Sequence, residues 1–241
     1  RVEKPSDPDV PIDLIVQLSS TQDFETVVIE RTLRAEVDSD HTVRFLAEGL
    51  EPDTQYYYRF IVGRDTYHTV GRTRTAPALG TDRDLRFAFA SCQGYEAGYY
   101  GAWRTLVEQD KKQPPAEQLD FILHLGDFIY EMIGDIPPGH KPARNIPPFP
   151  DGSEKFPSGT KSYWQAGAQY AVTLADYRHL YKTYLSDPDL QAARARFPFV
   201  CTWDDHEFTN NCWQSHDAYF GDGQPAQKRK VAANRSWFEF I

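Results

Sequence analysis

Cysteine and methionine are scarce in this 241-residue chain, with three of the first and one of the second. Cys92, Cys201 and Cys212 are too few, and odd in number, for a disulfide framework, so at least one is free or bound to something. Long hydrophobic runs are missing as well. No stretch approaches the ~18 apolar residues needed to span a bilayer, and no signal-peptide pattern opens the sequence. A start at Arg1 rather than Met fits a processed, secreted or periplasmic product whose signal peptide has been removed. Excess positive charge is absent too: the formal net charge is −9 and is spread evenly along the chain. That excludes a dedicated nucleic-acid surface. What remains is 40% hydrophobic and 14% aromatic residues, enough for a substantial core in one large domain or two smaller ones.

Residues 12–75 read as short strands: "IDLIVQLSS", "ETVVIERTLRAEV", "HTVRFLAEGL", "YYYRFIVG" and "YHTVGRTRTA", separated by turns such as "DSD" and "EPDT". The segment "LEPDTQYYYRF" is similar to the corner before the F strand of immunoglobulin and fibronectin type III sandwiches, with Tyr56 as the corner tyrosine. Residues 1–80 are therefore expected to form an all-β sandwich, and "APALGTDRD" reads as a linker. From residue 81 the pattern changes. "LRFAFASC", "LDFILHLGD" and "FPFVCTW" are near-continuous apolar runs, as for strands covered on both faces. "GAWRTLVEQDKK", "TLADYRHLYKTYL" and "DPDLQAARARF" carry helical spacing, the last with Pro188 in its first turn. Residues 134–163 are proline-rich without periodicity and read as a structured loop inserted in the second domain.

Three motifs end the three apolar runs: "SCQ", "GDFIY" and "WDDHE". Each has a plain reading alone. A lone cysteine is usually a small core hydrophobe, "GD" is often a turn, and acids suit a helix N-terminus. Sites in open α/β sheets gather at the carboxyl ends of strands, so the three can converge. Asp204, Asp205, His206 and Glu207 in succession are stabilised if a multivalent cation supplies the opposing charge. Tyr130, three residues after Asp127, can reach the same place, and a phenolate with the Cys92 thiolate suits Fe(III). The other candidates read blandly: His124 as a hydrogen-bonded core histidine, Trp103, Trp164 and Trp203 as packing residues, "KRK" at 228–230 as a solvated helix face.

"GDFIYE" resembles the GDxxY block of binuclear metallophosphoesterases, and "WDDHE" their GNH[ED] block. The nearer likeness is to PhoD-type alkaline phosphatases and phosphodiesterases. Their pattern is SCQ, GDxIYE, a tyrosine-rich helix leading to DPDLQ, then WDDHExxNN, after an all-β domain ending near GRTRTAP. Every block is found here, including "GRTRTAP" at 71–77. The resemblance implies an immunoglobulin/fibronectin III-like N-terminal domain followed by a four-layer αββα metallophosphoesterase domain. It implies a site in which Cys92 and Tyr130 bind Fe(III) and Asp127 bridges two metals. Asp205 then stands where related enzymes use Asn, directed to a second cation expected to be calcium. Asp204 adds to that cation or orients its neighbour. His206 stabilises the transition state and protonates the leaving oxygen, while Asn210 and Asn211 fit the pattern without an assigned role.

The implied activity is hydrolysis of phosphate monoesters or diesters by a metal-activated hydroxide in an exported enzyme. Phospholipase D-like cleavage of lipid head groups is an alternative on the same site. A non-catalytic calcium-binding extracellular module is an alternative of another class, disfavoured because structural calcium takes oxygen ligands rather than thiolate. A binuclear site also needs histidines and an aspartate that nothing after His206 resembles. The expectation is an incomplete catalytic domain, completed by a second polypeptide from a nicked precursor.

Overall fold

The computed structural model describes residues 8–63, 69–134, 136–137, 139–149, 156, 169–217 and 225–241. Trp164, part of the last expected β-strand and much of the 134–163 insertion lie outside the described residues. The chain divides into two compact units, one of residues 1–88, 103–123 and 191–200, the other of residues 89–102, 124–190 and 201–241.

In the first unit, β1 (Ile12–Ser19), β2 (Val27–Ala35), β3 (Gln55–Val62) and β4 (Gly71–Arg74) form an antiparallel sheet in the order β2-β1-β3-β4. Alternation in β1 turns Leu14, Val16 and Leu18 to the buried face. Tyr56 is buried, and its hydroxyl accepts a hydrogen bond from the Glu51 backbone N–H at 3.0 Å, the corner contact expected from the sequence. The segment expected as a strand at 41–50 forms none, so the described residues of this unit form one antiparallel sheet, without the second sheet that the expected sandwich requires. Gly71 lets the Tyr58 ring lie against the β4 backbone; a Cβ there would be 2.1 Å from that ring, so the ring would have to move.

Along the rest of the chain come β5 (Phe87–Ala90), α1 (Gly101–Lys112), β6 (Phe121–His124), β7 (Met132–Ile133), β8 (Gln169–Tyr170), α2 (Leu174–Leu185), α3 (Pro188–Arg196), β9 (Phe199–Cys201) and α4 (Gln227–Phe240). The order β5-β6-β9 makes a three-stranded sheet with β6 central. Its backbone bonds climb together, Asp120 N to Arg86 O and then Leu125 N to Ala90 O, which is a parallel pattern. The apolar runs suggest cover on both faces, yet β5 alternates: Phe87 is 48% and Phe89 is 72% exposed. Among the described residues one face of this strand has no cover.

The second unit is held by α2 and α4. A capping box starts α2, with Thr173 Oγ1 accepting from Asp176 N and the Asp176 carboxylate accepting from Thr173 N. Tyr177, Tyr181 and Tyr184 share one face of α2 and are buried. Tyr181 stacks on Phe240, and Arg178 forks onto Glu239 at 2.6 and 2.7 Å. Asp187 caps α3 by accepting from Asp189 N and Leu190 N, with Pro188 as the first helical residue. "KRK" differs from its expected role. Arg229 is buried, donates to Ala171 O and pairs with Asp217, because on α4 it faces inward. Trp203 also differs, being 52% exposed with edge contacts to Trp237 and Phe238. Trp103 and His124 are buried as expected, the His124 ring lying 4.9 Å from that of Phe128.

Candidate metal centre

Each strand of the parallel sheet delivers its motif in the turn just beyond its carboxyl end. These turns are tight. Cys92 and Asp127 sit at φ +58° and +54°, left-handed values that are uncommon away from glycine and tend to gather at functional sites. Gly126, at φ +99°, permits the closest approach: a Cβ there would be 2.5 Å from both N and Cβ of Asp204. Cys92 N donates to Gly126 O and Gln93 N to Asp127 O, each at 3.2 Å. Gln93 is buried and reaches Phe128 O through Nε2 at 3.0 Å.

Glu207 binds the second and third motifs together. Its buried carboxylate accepts from Phe128 N at 2.5 Å, Asp204 N at 2.7 Å and Asp127 N at 3.2 Å. Burial pushes its carboxyl up to about 7, and the three backbone donors work in the opposite direction.

At the centre, Asp127, Asp205 and His206 each offer a ligand atom, and these atoms lie within 4.8 Å of one another. Asp127 Oδ2 accepts from the Tyr130 hydroxyl at 3.2 Å, while its Oδ1 is buried with no hydrogen-bond partner. Burial raises the Asp127 carboxyl above the usual range and Asp205 adds to this, against His206, Cys92 and Tyr130. Burial followed by the Asp127 charge pushes the Tyr130 phenol up, and the neighbouring Cys92 thiol adds to this. Asp205 Oδ2 accepts from Asn211 N at 2.5 Å. Cys92, Asp127, Tyr130, Asp205 and His206 are thus brought together. Asp204 is tied in by its backbone; it is exposed, and its carboxylate lies outside the three-residue group. All three cysteines are free.

His206 is held from two sides. Its ring lies 4.2 Å from that of Tyr130, and Nδ1 is 2.7 Å from Glu131 Oε2. Burial works to lower the His206 value, but Glu131, with Asp127 and Asp205 behind it, holds it above the ordinary one. Glu131 is fully buried, and its Oε1 accepts from Asn210 N at 2.8 Å, so one carboxylate fixes both the imidazole and the turn beyond it. The site opens into a cleft of about 650 Å³ lined by Cys92, Tyr130, Tyr184, His206, Asn210 and Asn211 among others.

Glu131 was not singled out from the sequence, and Glu207 was named only as a member of the charge cluster, without the tie between motifs that it makes here. The available signal was an acid embedded in a run that must be buried, which requires partners. Tyr184 was missed as well; its hydroxyl accepts from Tyr130 N at 3.1 Å and lines the cleft.

Residues 87–241 match the model of the PhoD-like phosphatase family, and residues 1–77 match that of the PhoD-like phosphatase N-terminal domain. The chain is 37% identical to alkaline phosphatase D of Bacillus subtilis (strain 168) over 226 residues, which is 93% of this chain and 34% of the relative. A solved structure described as that of PhoD superposes with a TM-score of 0.79 at 33% identity, covering 98% of this chain and 40% of its own. This chain therefore spans well under half the length of the relatives it matches. With a family match over more than half its length and the motif residues gathered at the strand ends, the chain belongs to the PhoD-like phosphatase family.

Proposed function

We propose that this chain is the N-terminal part of an exported, metal-dependent phosphoesterase acting on phosphate monoesters, diesters or both. The observation that carries the reading is the convergence of Asp127, Asp205 and His206 within ligand reach, beside the Cys92 thiol and the Tyr130 phenol. These residues fit a metal. Asp127 Oδ1 is a buried carboxylate oxygen without a partner, and a cation is the group that would satisfy it. Cys92, Tyr130 and Asp127 form a donor set suited to Fe(III), and Asp127 with Asp205 offers oxygens of the kind that calcium takes.

When bound, the cations supply Lewis acidity toward the phosphoryl oxygens and lower the pKa of water in the site. The chain's own residues do the rest. Asp127 would help hold both cations, and Glu207 fixes the turns that carry Asp127 and Asp204. Glu131 occupies Nδ1 of His206, which leaves Nε2 to deliver a proton to the departing oxygen.

We further infer that the rest of the catalytic domain, as a continuation or a second polypeptide, packs on the open side of the β5-β6-β9 sheet. Phe89 at 72% and Leu125 at 42% exposure support this, since large apolar side chains on strands are seldom left in water. Hydrolysis of matched monoester, diester and phosphatidylcholine substrates, with and without chelator, tests the function. Chelator-sensitive release of phosphate or alcohol supports the proposal. Calcium binding without turnover of any ester, by protein that includes the remaining domain, would favour the binding module. Release of choline alone would favour the phospholipase D reading.

A further inference from the structure

The cleft above the metal centre has a wall that the chemistry described so far does not use. A phosphoryl group alone does not fill 650 Å³, a volume within the range of about 300–1,000 Å³ found for sites that take whole small molecules. Tyr95, Met132, Ile136 and Pro137 give this cleft an apolar lining, and the proline-rich segment adds His140 and Lys141. Lys141 is the one Lys or Arg side chain lining the cleft among the described residues. It is exposed, and Glu96, whose carboxylate accepts from Gly134 N, is the one carboxylate residue lining the same cleft among the described residues.

The segment carrying Lys141 is pinned just after it. Ala143 N donates to Glu96 O at 2.9 Å, and Glu96 in turn accepts from Gly134 N at 2.8 Å. The Arg144 guanidinium lies 3.6 Å from the Tyr95 ring centroid and 4.4 Å from that of Tyr100. Its Nε donates to Tyr95 O at 2.7 Å and its Nη1 pairs with Asp187 at 2.5 Å. Pro142 restricts the chain between the anchor and Lys141, so the ammonium is presented to the cleft from a fixed backbone.

We propose that Lys141, with His140 beside it, forms a second anion subsite, so that the preferred substrates are small organic phosphoesters carrying a further phosphate or carboxylate beyond the scissile group. This rests on the phosphoesterase reading above. The apolar lining takes the connecting carbon chain, and the ammonium takes the distal anion as a point charge.

The test compares butyl phosphate with its ω-carboxylate and ω-phosphate analogues on metal-loaded protein that includes the remaining domain, by release of inorganic phosphate. Butyl phosphate is the reference within each variant, so that the ratio of kcat/KM values is what is read. The expected wild-type preference for an anionic analogue is about five- to tenfold, carried by KM and weakened by salt. Lys141→Met should bring the ratio to about one, and Lys141→Glu should invert it. The carboxylate and phosphate arms separate the two anions. A ratio unchanged in both variants, with butyl phosphate still turned over, would overturn the subsite alone. Failure of the wild-type enzyme to hydrolyse any of the three would overturn the esterase reading and the subsite with it.

Discussion

Replacing Glu131 separates a catalytic role for His206 from a merely packed one. Glu131 is fully buried and makes two side-chain contacts, to His206 Nδ1 at 2.7 Å and to Asn210 N at 2.8 Å. In Glu131→Ala both donors lose an acceptor that is itself fully buried. Breaking a buried charged pair this way costs about 3–5 kcal/mol, so a drop in thermal stability is expected with the loss of activity. Glu131→Gln is the sharper variant. It keeps the volume and an oxygen for Asn210 N, so the cost in stability should be about 1–2 kcal/mol. It removes the charge that holds His206 above its ordinary value. A proton donor must be protonated to act, so the alkaline limb of the kcat/KM profile should move to lower pH. A misoriented or neutral imidazole should reduce kcat by about 10²-fold, the lower part of the range for general acid catalysis, with KM little changed. Steady-state kinetics across pH, beside a thermal melt and metal content on the same preparation, measure all three effects. A Glu131→Gln enzyme with wild-type kcat and an unmoved alkaline limb would refute the role given to the pair.

Among the remaining expectations, His206→Ala should reduce turnover far more than it reduces metal content, whereas Asp127→Asn should empty the site; elemental analysis beside kinetics decides, and parallel losses in His206→Ala would make it a ligand instead. Metal-loaded protein should be coloured by charge transfer from Tyr130 and Cys92 to Fe(III), and Tyr130→Phe should shift the band; a colourless, fully active protein removes iron from the scheme. His179 lies 4.3 Å from the Phe149 ring with Nε2 2.7 Å from Pro147 O, and burial holds its value below the ordinary one. The unfolded chain therefore binds the proton more readily, so stability should fall as pH drops through about 6.5, the unfolded value, toward the folded one, and be unaffected above it. His179→Leu should flatten that acid-side decline in melting temperature, and an identical decline in the variant would assign it elsewhere.

What the sequence made legible follows from how locally each feature is encoded. Residues 173–185 declare a helix through their spacing, and α2 spans Leu174–Leu185 with Thr173 as its cap. The corner at Tyr56 is equally local, its hydroxyl reaching five residues back to Glu51. Residues 41–50 alternate like a strand, but a strand also needs a neighbour, and ladder partners are not written in the alternating segment itself. Burial of Phe89 was misjudged for the same reason: an apolar run states what a strand tolerates, while its cover is supplied by other parts of the fold.

The site divides along the same line. Cys92, Asp127, Tyr130, Asp205 and His206 are legible because three strand ends in one parallel sheet bring any residues there to one edge. Glu131 and Glu207 act across sequence separations of 75 and 80 residues, on His206 and on the Asp127 N–H, so neither partner is visible from its own motif. Yet their burial could have been argued in advance. "GDFIYE" places an acid directly after an apolar strand and turn, and "WDDHEF" places one between a histidine and a phenylalanine. A carboxylate in such a place is stable only with two or three donors or a counter-charge, and the donors nearest in supply are the N–H groups of the opposing turns. Glu207 takes three such donors and Glu131 one plus an imidazole. The two glutamates are thus the residues that fit one motif to the other, and the candidate ligands owe their geometry to them.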